Sequence, residues 1–526
     1  MYWRGWGDPG RAVALPDSVV DVLHRALGVE RPLPPVELDR VVLPASALPA
    51  PAAALVDVVG RDHVRTDQES RVRHTRGKST ADLLRMRAGD GSDAPDAVVS
   101  PGSHDDVVRV LRVCSEHSVA VVPFGGGTSV VGGLTPDRTA RTAVIAMDLA
   151  RLDRVVDIDE ESRLATLEPG LRAPVAEERL RAHGFTLGHF PQSYEWASIG
   201  GFAATRASGQ ASAGYGRFDE LVARLRVATP AGTLTLGRAP KASAGPDLRQ
   251  LVLGSEGAFG VITSVTVQVR PASETEIYEG WRFRDFRAGV AATRRLAQDG
   301  PLPTVLRLSD EAETAVGLSD PTALGSGDGA EGCLLVTGYE GRADDVARRR
   351  AEVSAILADS GGEPLGPGPG ERWAEGRFGG PYLRDALLDA GAYAETLETA
   401  TFWSGLADLY GAARASLTET LTAAGTPPLV LCHVSHVYPS GGSLYFTVVC
   451  AQGADPVAHW QEAKAAATAA IMAAGGTVSH HHGVGVDHRP WLADEIGALG
   501  LDVLRAIKST LDPTGILNPG VLLPGS

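Results

Sequence analysis

Cysteine is scarce in this chain. Cys114, Cys333, Cys432 and Cys450 are the only four in 526 residues, they lie far apart, and none belongs to a CxxC pair. That spacing excludes a disulfide framework and a zinc ribbon, and reduced thiols suit a cytosolic protein. Positive charge is also short: the formal net charge is −15, the wrong sign for non-specific nucleic-acid binding. No run of about 18 apolar residues occurs, so no membrane-spanning helix is expected. The opening MYWRGWGDPG lacks the apolar stretch of a signal peptide, which points to a soluble, intracellular protein. Aromatic residues are few, at 6%, so the neighbouring Trp3 and Trp6 stand out; the expectation is a strap packed on the main body.

Glycine, by contrast, is abundant, with 62 residues, and it is concentrated in loops that follow strands. The central stretch is VVPFGGGTSVVGG. The apolar run 118–122 reads as a buried strand ended by Pro123 and Phe124, followed by Gly125, Gly126 and Gly127, then the hydroxyls of Thr128 and Ser129. Backbone without Cβ atoms can aim several N–H groups at one anion such as a pyrophosphate. An ordinary glycine-rich turn fits the loop alone equally well. Upstream, Ala97–Val99 and a helix capped by Ser103, with Val107, Val110, Leu111 and Cys114 on one face, complete a β-α-β unit. Two further small-residue segments, 188–222 and 254–269, are each tied to a strand. Three such loops favour one extended cofactor held by a single α+β domain.

Pro271 marks a boundary. Beyond it a β-α-β…β-α series (277–283, 286–298, 304–308, 333–339, 342–359) has the order of half a ferredoxin-like sheet. The Gly/Pro-rich stretch 361–381 reads as a mobile loop, 383–397 and 402–424 as helices, 429–437 and 443–451 as strands, and 456–474 and 492–511 as helices.

The residues that can carry chemistry come late. His480, His481 and His482 stand in SHHHGVG; on an extended chain His480 and His482 share a face and His481 points away. No metal is expected, since zinc partners at standard spacing are lacking. Imidazoles that titrate near neutrality suit proton transfer or anion binding. Tyr445 lies on an alternating strand, Arg384 begins a helix, and Arg307 interrupts an apolar strand where an unpaired charge would be costly. Arg71, Arg73, His74, Arg76 and Lys78 form either a solvated basic loop or the edge of an anion site.

Taken together, PFGGGTS, FPQSYEWASIGGFAATRASG, YGRFDELV, GSEGAFGVIT, PYLRD, SLYF and SHHHGVG resemble the flavoprotein superfamily of vanillyl-alcohol oxidase and p-cresol methylhydroxylase (PCMH), and within it the alkyldihydroxyacetonephosphate synthases. The resemblance spans nearly the whole chain. It implies an α+β fold with a PCMH-type FAD-binding domain at 91–270, an N-terminal extension at 1–90, a ferredoxin-like cap at 271–475, and a C-terminal helical segment, 476–526, returning to the FAD domain. FAD would be held by Pro123, Phe124, Gly125, Gly126, Gly127, Thr128 and Ser129; by Gln192, Ser193, Tyr194, Glu195, Trp196, Ala197 and Ser198; by Thr205, Arg206, Ala207 and Ser208; and by Glu256, Gly257, Ala258, Phe259, Gly260, Val261 and Ile262. The glycine loop lacks the histidine that attaches flavin covalently in some relatives, so non-covalent FAD is expected.

The implied reaction is redox-neutral ether-lipid synthesis, in which the acyl group of acyl-dihydroxyacetone phosphate is exchanged for a long-chain alcohol through a flavin N5 adduct. Tyr445 would be the acid/base, His480, His481 and His482 would assist proton transfer, Arg384 would bind substrate and Arg307 would support the FAD site. A tyrosine is a poor base unless positive charge lowers its pKa, and the histidines and Arg384 are the expected source. His433 stands where the synthases carry an arginine, which bears on phosphate recognition. The alternative within the superfamily is an FAD-dependent 2-hydroxy acid dehydrogenase or oxidase, whose acidic metal ligands this chain lacks. A homodimer follows from the resemblance, peripheral membrane contact from the fatty substrates, and a bacterial cytosol from the composition.

Overall fold

The computed structural model describes residues 1–524 except 31, 33, 49, 50, 140, 142 and 318–330. Its first sheet is the β-α-β unit expected around the glycine loop. Strands Ala97–Val99, Ala143–Asp148 and Val119–Phe124 run parallel, with Val64–Arg65 antiparallel at the edge. Helix His104–Glu116 buries Val107, Val110, Leu111 and Cys114 against it, each large apolar side chain contributing roughly 1.5–3 kcal/mol of burial. Strand Val119–Phe124 runs on through Pro123, which the sequence places at its end. Leu517 bridges to Val121, so the C-terminal segment docks on this strand.

A second sheet is antiparallel, in the order Val155–Asp159, Leu164–Leu167, Val261–Gln268, Val222–Thr229, Gly232–Leu236. The third, eight-stranded sheet has two halves. In the first, Thr275–Phe283, Val305–Ser309, Cys333–Gly341 and Glu363–Gly366 take the spatial order fourth, first, third, second, backed by helices Phe286–Asp299 and Ala343–Asp359. That is ferredoxin-like pairing. The second half, Ala392–Phe402, Leu429–Val434 and Gly441–Ala451, with Val437–Tyr438 paired to the last of these, joins it where Leu308 and Ser309 face Val434 and His433.

Two expectations need correction here. The stretch 361–381 is structured: after strand Glu363–Gly366, helix Pro367–Gly376 buries Trp373. Its prolines fall at the first helical turn, where no N–H is needed, and a Cβ at Gly370 would stand 2.8 Å from the Glu279 Cα, so glycine permits the helix to lie on the sheet. The helix expected at 383–397 ends at Ala390, because Gly391 turns the chain through φ +96°. The alternating AYAETLETATF that follows is an eleven-residue strand, Ala392–Phe402, paired throughout with Gly441–Ala451.

The four cysteines are buried free thiols. Among the described residues no helix is long and apolar enough to cross a membrane.

Candidate functional site

One cavity, about 400 Å³ in volume, lies between the glycine loops and the cap sheet. Its first wall holds Pro123, Gly125, Gly126, Gly127, Thr128 and Ser129; Gln192, Ser193, Ala197 and Ser198; Thr205, Ala207 and Ser208; and Glu256, Gly257, Gly260 and Ile262. These loops interlock. A Cβ at Gly126 would lie 2.5 Å from the Trp196 carbonyl oxygen and 2.9 Å from the Ala197 Cα, and one at Gly257 would lie 2.9 Å from Pro123. Backbone donors set this close, with the hydroxyls of Thr128, Ser129, Thr205 and Ser208 beside them, fit the phosphates and ribose of a dinucleotide.

The other expected residues of these segments stand outside the wall. Phe124 packs on His74, Tyr194 stacks on Phe378, and Glu195 pairs with Arg11. The Trp196 carbonyl accepts from Arg172, Arg206 caps its helix in a left-handed conformation and donates to Leu253, Ala258 and Phe259 join the core around Leu492, and Val261 joins that around Val121. Glu256, also left-handed at φ +49°, is buried, and burial lifts its carboxyl to about 7. It accepts the N–H groups of Val484 and Gly485 at 2.9 and 2.8 Å, tying the flavin side to the histidine segment.

The opposite wall is chemical. The three histidines are not extended; they sit in a turn around one carboxylate. Glu398, on strand Ala392–Phe402, accepts the N–H of His480 at 2.7 Å, of His481 at 3.2 Å and of His482 at 2.9 Å, and the Ser479 hydroxyl at 2.6 Å. The turn reverses the expected facing: His481 and His482 line the cavity together and His480 turns away. Burial holds all three imidazoles below their ordinary pKa, His482 at about 3. Burial alone would raise the Glu398 carboxyl, but the three histidines and Ser479 draw it well below the usual range.

His436, from the loop before Val437–Tyr438, completes an imidazole cluster that residue spacing did not reveal. Its candidate ligating nitrogen and those of His480 and His481 lie within 4.8 Å of one another. The His436 and His480 rings stack at an interplanar angle of 25° with centroids 5.0 Å apart. The Nδ1 atoms of His480 and His481 share a hydrogen bond at 3.1 Å, and His436 Nδ1 pairs with the Ser208 and Ser212 hydroxyls.

Tyr445 lines the cavity, stacked on His433 with ring centroids 4.9 Å apart and edge-on to His482. Its phenol is raised to about 12, by burial first and then by Glu395 and Glu398, against the lowering expected from positive charge. Burial disfavours the charged form of the histidines meant to supply that charge, and the Arg384 guanidinium is bonded to the Lys78 carbonyl and Asp385. Arg307 is not an unpaired charge: it bonds the buried Glu313, which also accepts from His433 at 2.9 Å. Despite burial, His433 and Arg307 hold the Glu313 carboxyl at about 2.

Arg384 also lines the cavity, donating to the Lys78 carbonyl and to Asp385. The N-terminal strap docks here. Asp385 accepts the Trp6 N–H, the buried Lys78 ammonium donates to the carbonyls of Tyr2 and Trp3, and Trp6 itself lines the cavity. Of the basic group 71–78, Arg71, Arg76 and Lys78 are buried, Arg76 pairing with Asp90 and Asp93.

Fold and site together define an FAD-binding flavoprotein of the FAD-linked oxidase type. The "FAD binding domain" family matches residues 95–237 and the "FAD linked oxidases, C-terminal domain" family residues 272–522. A solved p-cresol methylhydroxylase shares the fold at TM-score 0.71 and 15% identity, covering 92% of this chain and 98% of that one. The alkyldihydroxyacetonephosphate synthase of Trypanosoma brucei brucei is 32% identical over 100% of this chain and 92% of its own length. A solved alkyldihydroxyacetonephosphate synthase matches at TM-score 0.82 and 30% identity, over 99% of this chain and 98% of that one. The chain belongs to the alkyldihydroxyacetonephosphate synthase family.

Proposed function

We propose that this protein is an FAD-dependent ether-lipid synthase that replaces the acyl group of acyl-dihydroxyacetone phosphate with a long-chain alcohol, without net redox change. The carrying observation is that Tyr445, His481, His482 and Arg384 line the same cavity as the glycine loops. Non-covalent FAD would lie along those loops and supply the electron sink that a carbanion next to a carbonyl requires. On this reading His481 and His482, which line the cavity, assist the transfer of the C1 proton. Tyr445 on the same reading is the acid/base, and as a phenol near neutrality its share is to donate a proton. Arg384 would hold the anionic head group, and Arg307, bonded to the Glu313 carboxylate that His433 also meets, would fix the floor beneath Tyr445.

Leu383, Leu387, Ala394 and Val449 give the same cavity an apolar side suited to a fatty chain. A homodimer and peripheral contact with a bilayer belong to this reading, the latter supported by Ile496, Leu499 and Val503, exposed on helix Leu492–Leu511.

The test is anaerobic incubation of the flavin-loaded protein with palmitoyl-dihydroxyacetone phosphate and hexadecanol. Mass spectrometry should find the alkyl ether, with the flavin oxidised at the end. Absence of ether, with D-2-hydroxy acids bleaching the flavin, would overturn the proposal.

A further inference from the structure

His480 has no place on the cavity wall, yet both of its ring nitrogens are engaged. Nδ1 meets His481 Nδ1 at 3.1 Å, and Nε2 meets the Tyr438 hydroxyl at 2.7 Å. His481 lines the cavity, and its bonded nitrogen is Nδ1, leaving Nε2 to face a reactant. Tyr438 is half-buried at the other end, beside Arg217 in a segment where Glu220 is exposed. Three hydrogen-bonding side chains thus run from the cavity to a half-buried phenol beside Arg217.

We propose that His481, His480 and Tyr438 form a proton outlet from the active cavity to solvent at the Arg217 edge. The inference rests on the proposed synthase reaction, whose fatty acid product ionises near neutral pH and leaves one proton behind per turnover. The transfer balances. His481 takes a proton at Nε2 and passes the one on Nδ1 to His480 Nδ1; His480 passes the proton on Nε2 to the Tyr438 oxygen; Tyr438 releases its own to water. Each imidazole accepts on one nitrogen as it donates from the other, so neither has to store a charge in a buried site. The groups facing the path are Glu398, whose carboxylate lies 3.5 Å from His481 Nδ1, His436 stacked on His480, His482 beside His481, and Arg217 at the exit. Glu398 favours the N–H on His481 Nδ1, the tautomer the outward transfer starts from.

Tyr438 acts through His480 and His481, so it is a positioning and relay residue. In the flavin-loaded protein, Tyr438→Phe should lower kcat by about a hundredfold with KM unchanged, the lower end of what positioned proton transfer contributes. Added imidazole should restore the rate, and Tyr438→His, which can still relay, should keep it. A second measurement needs no substrate: in ¹⁵N-labelled protein, the downfield imidazole proton shared by His480 and His481 should exchange with water more slowly in Tyr438→Phe. Unchanged kcat and exchange in that variant, or a loss that neither imidazole nor Tyr438→His recovers, would overturn the outlet. If the wild type makes no ether lipid, the synthase reading fails and the exchange rate alone decides the relay.

Discussion

Glu398 and Tyr445 are direct cross-strand partners in the antiparallel pair Ala392–Phe402 and Gly441–Ala451. Their side chains therefore leave the sheet on the same face. One reaches the cavity, and the other gathers the backbone of the histidine turn, so a single register sets the spacing between the phenol and the imidazoles. A slip by one residue between the two strands would put them on opposite faces.

Replacing Glu398 should disassemble the turn. Glu398→Ala leaves the His480, His481 and His482 N–H groups without an acceptor, each hydrogen bond to a charged group being worth about 1.5–3 kcal/mol. The expected result is a clear fall in the denaturation midpoint and loss of turnover. Glu398→Gln, isosteric but neutral, should recover much of the stability and little of the activity. Urea unfolding and a product assay on both variants check this.

Tyr445→Phe should abolish turnover while leaving the flavin spectrum and the melting temperature close to wild type. With the phenol raised to about 12, ionisation of Tyr445 should give no break in the pH–rate profile between about pH 6 and 9. A break there that disappears in the variant would contradict the assignment of the proton-donor role.

Gly126→Ala tests the interlocked loops. The added Cβ would meet the Trp196 carbonyl oxygen at 2.5 Å and the Ala197 Cα at 2.9 Å, both backbone atoms that cannot rotate away. Bound FAD per chain, measured by the absorbance ratio of flavin to protein, should drop sharply, and Trp196 and Ala197 should show altered protection from exchange.

Acid should weaken the fold before it reaches ordinary carboxylates. His482 has a folded pKa of about 3 against an ordinary 6.5, so between these values the unfolded chain binds the extra proton. Its contribution is present above pH 6.5 and is lost as pH falls, at ~1.4 kcal/mol per pH unit for one proton. His482→Asn should flatten the dependence of unfolding free energy on pH by about one proton between pH 4 and 6.

The glycine loops were legible because their signal is local: three glycines after an apolar run fold the same way whatever lies across the cavity. Tyr445 and the histidine triplet stood out by residue type. Glu395 is hidden because the sequence pattern extends the leucine-rich helix to residue 397, and Glu398 because it falls in the gap before the helix expected at 402–424. Gly391 is the break, and AYAETLETATF then alternates as a strand should. The turn of the histidines was not legible, since it is imposed by a carboxylate 82 residues away in the chain. The high phenol pKa of Tyr445 depends on which neighbours stay neutral once buried, and only packing decides that.

The strap is made long before its dock. Trp6 and Asp385 are 379 residues apart, so during synthesis Trp6 emerges with no partner until helix Gly380–Ala390 has formed, whereas Trp3 packs on Val41, Val72 and Met86 from its own end of the chain. Contacts of such separation close late, after the loop entropy between them has been overcome. Completion of the cavity wall at Trp6 is therefore coupled to completion of the cap, and a chain whose cap has not yet folded leaves the Trp6 indole exposed, an aggregation-prone apolar surface.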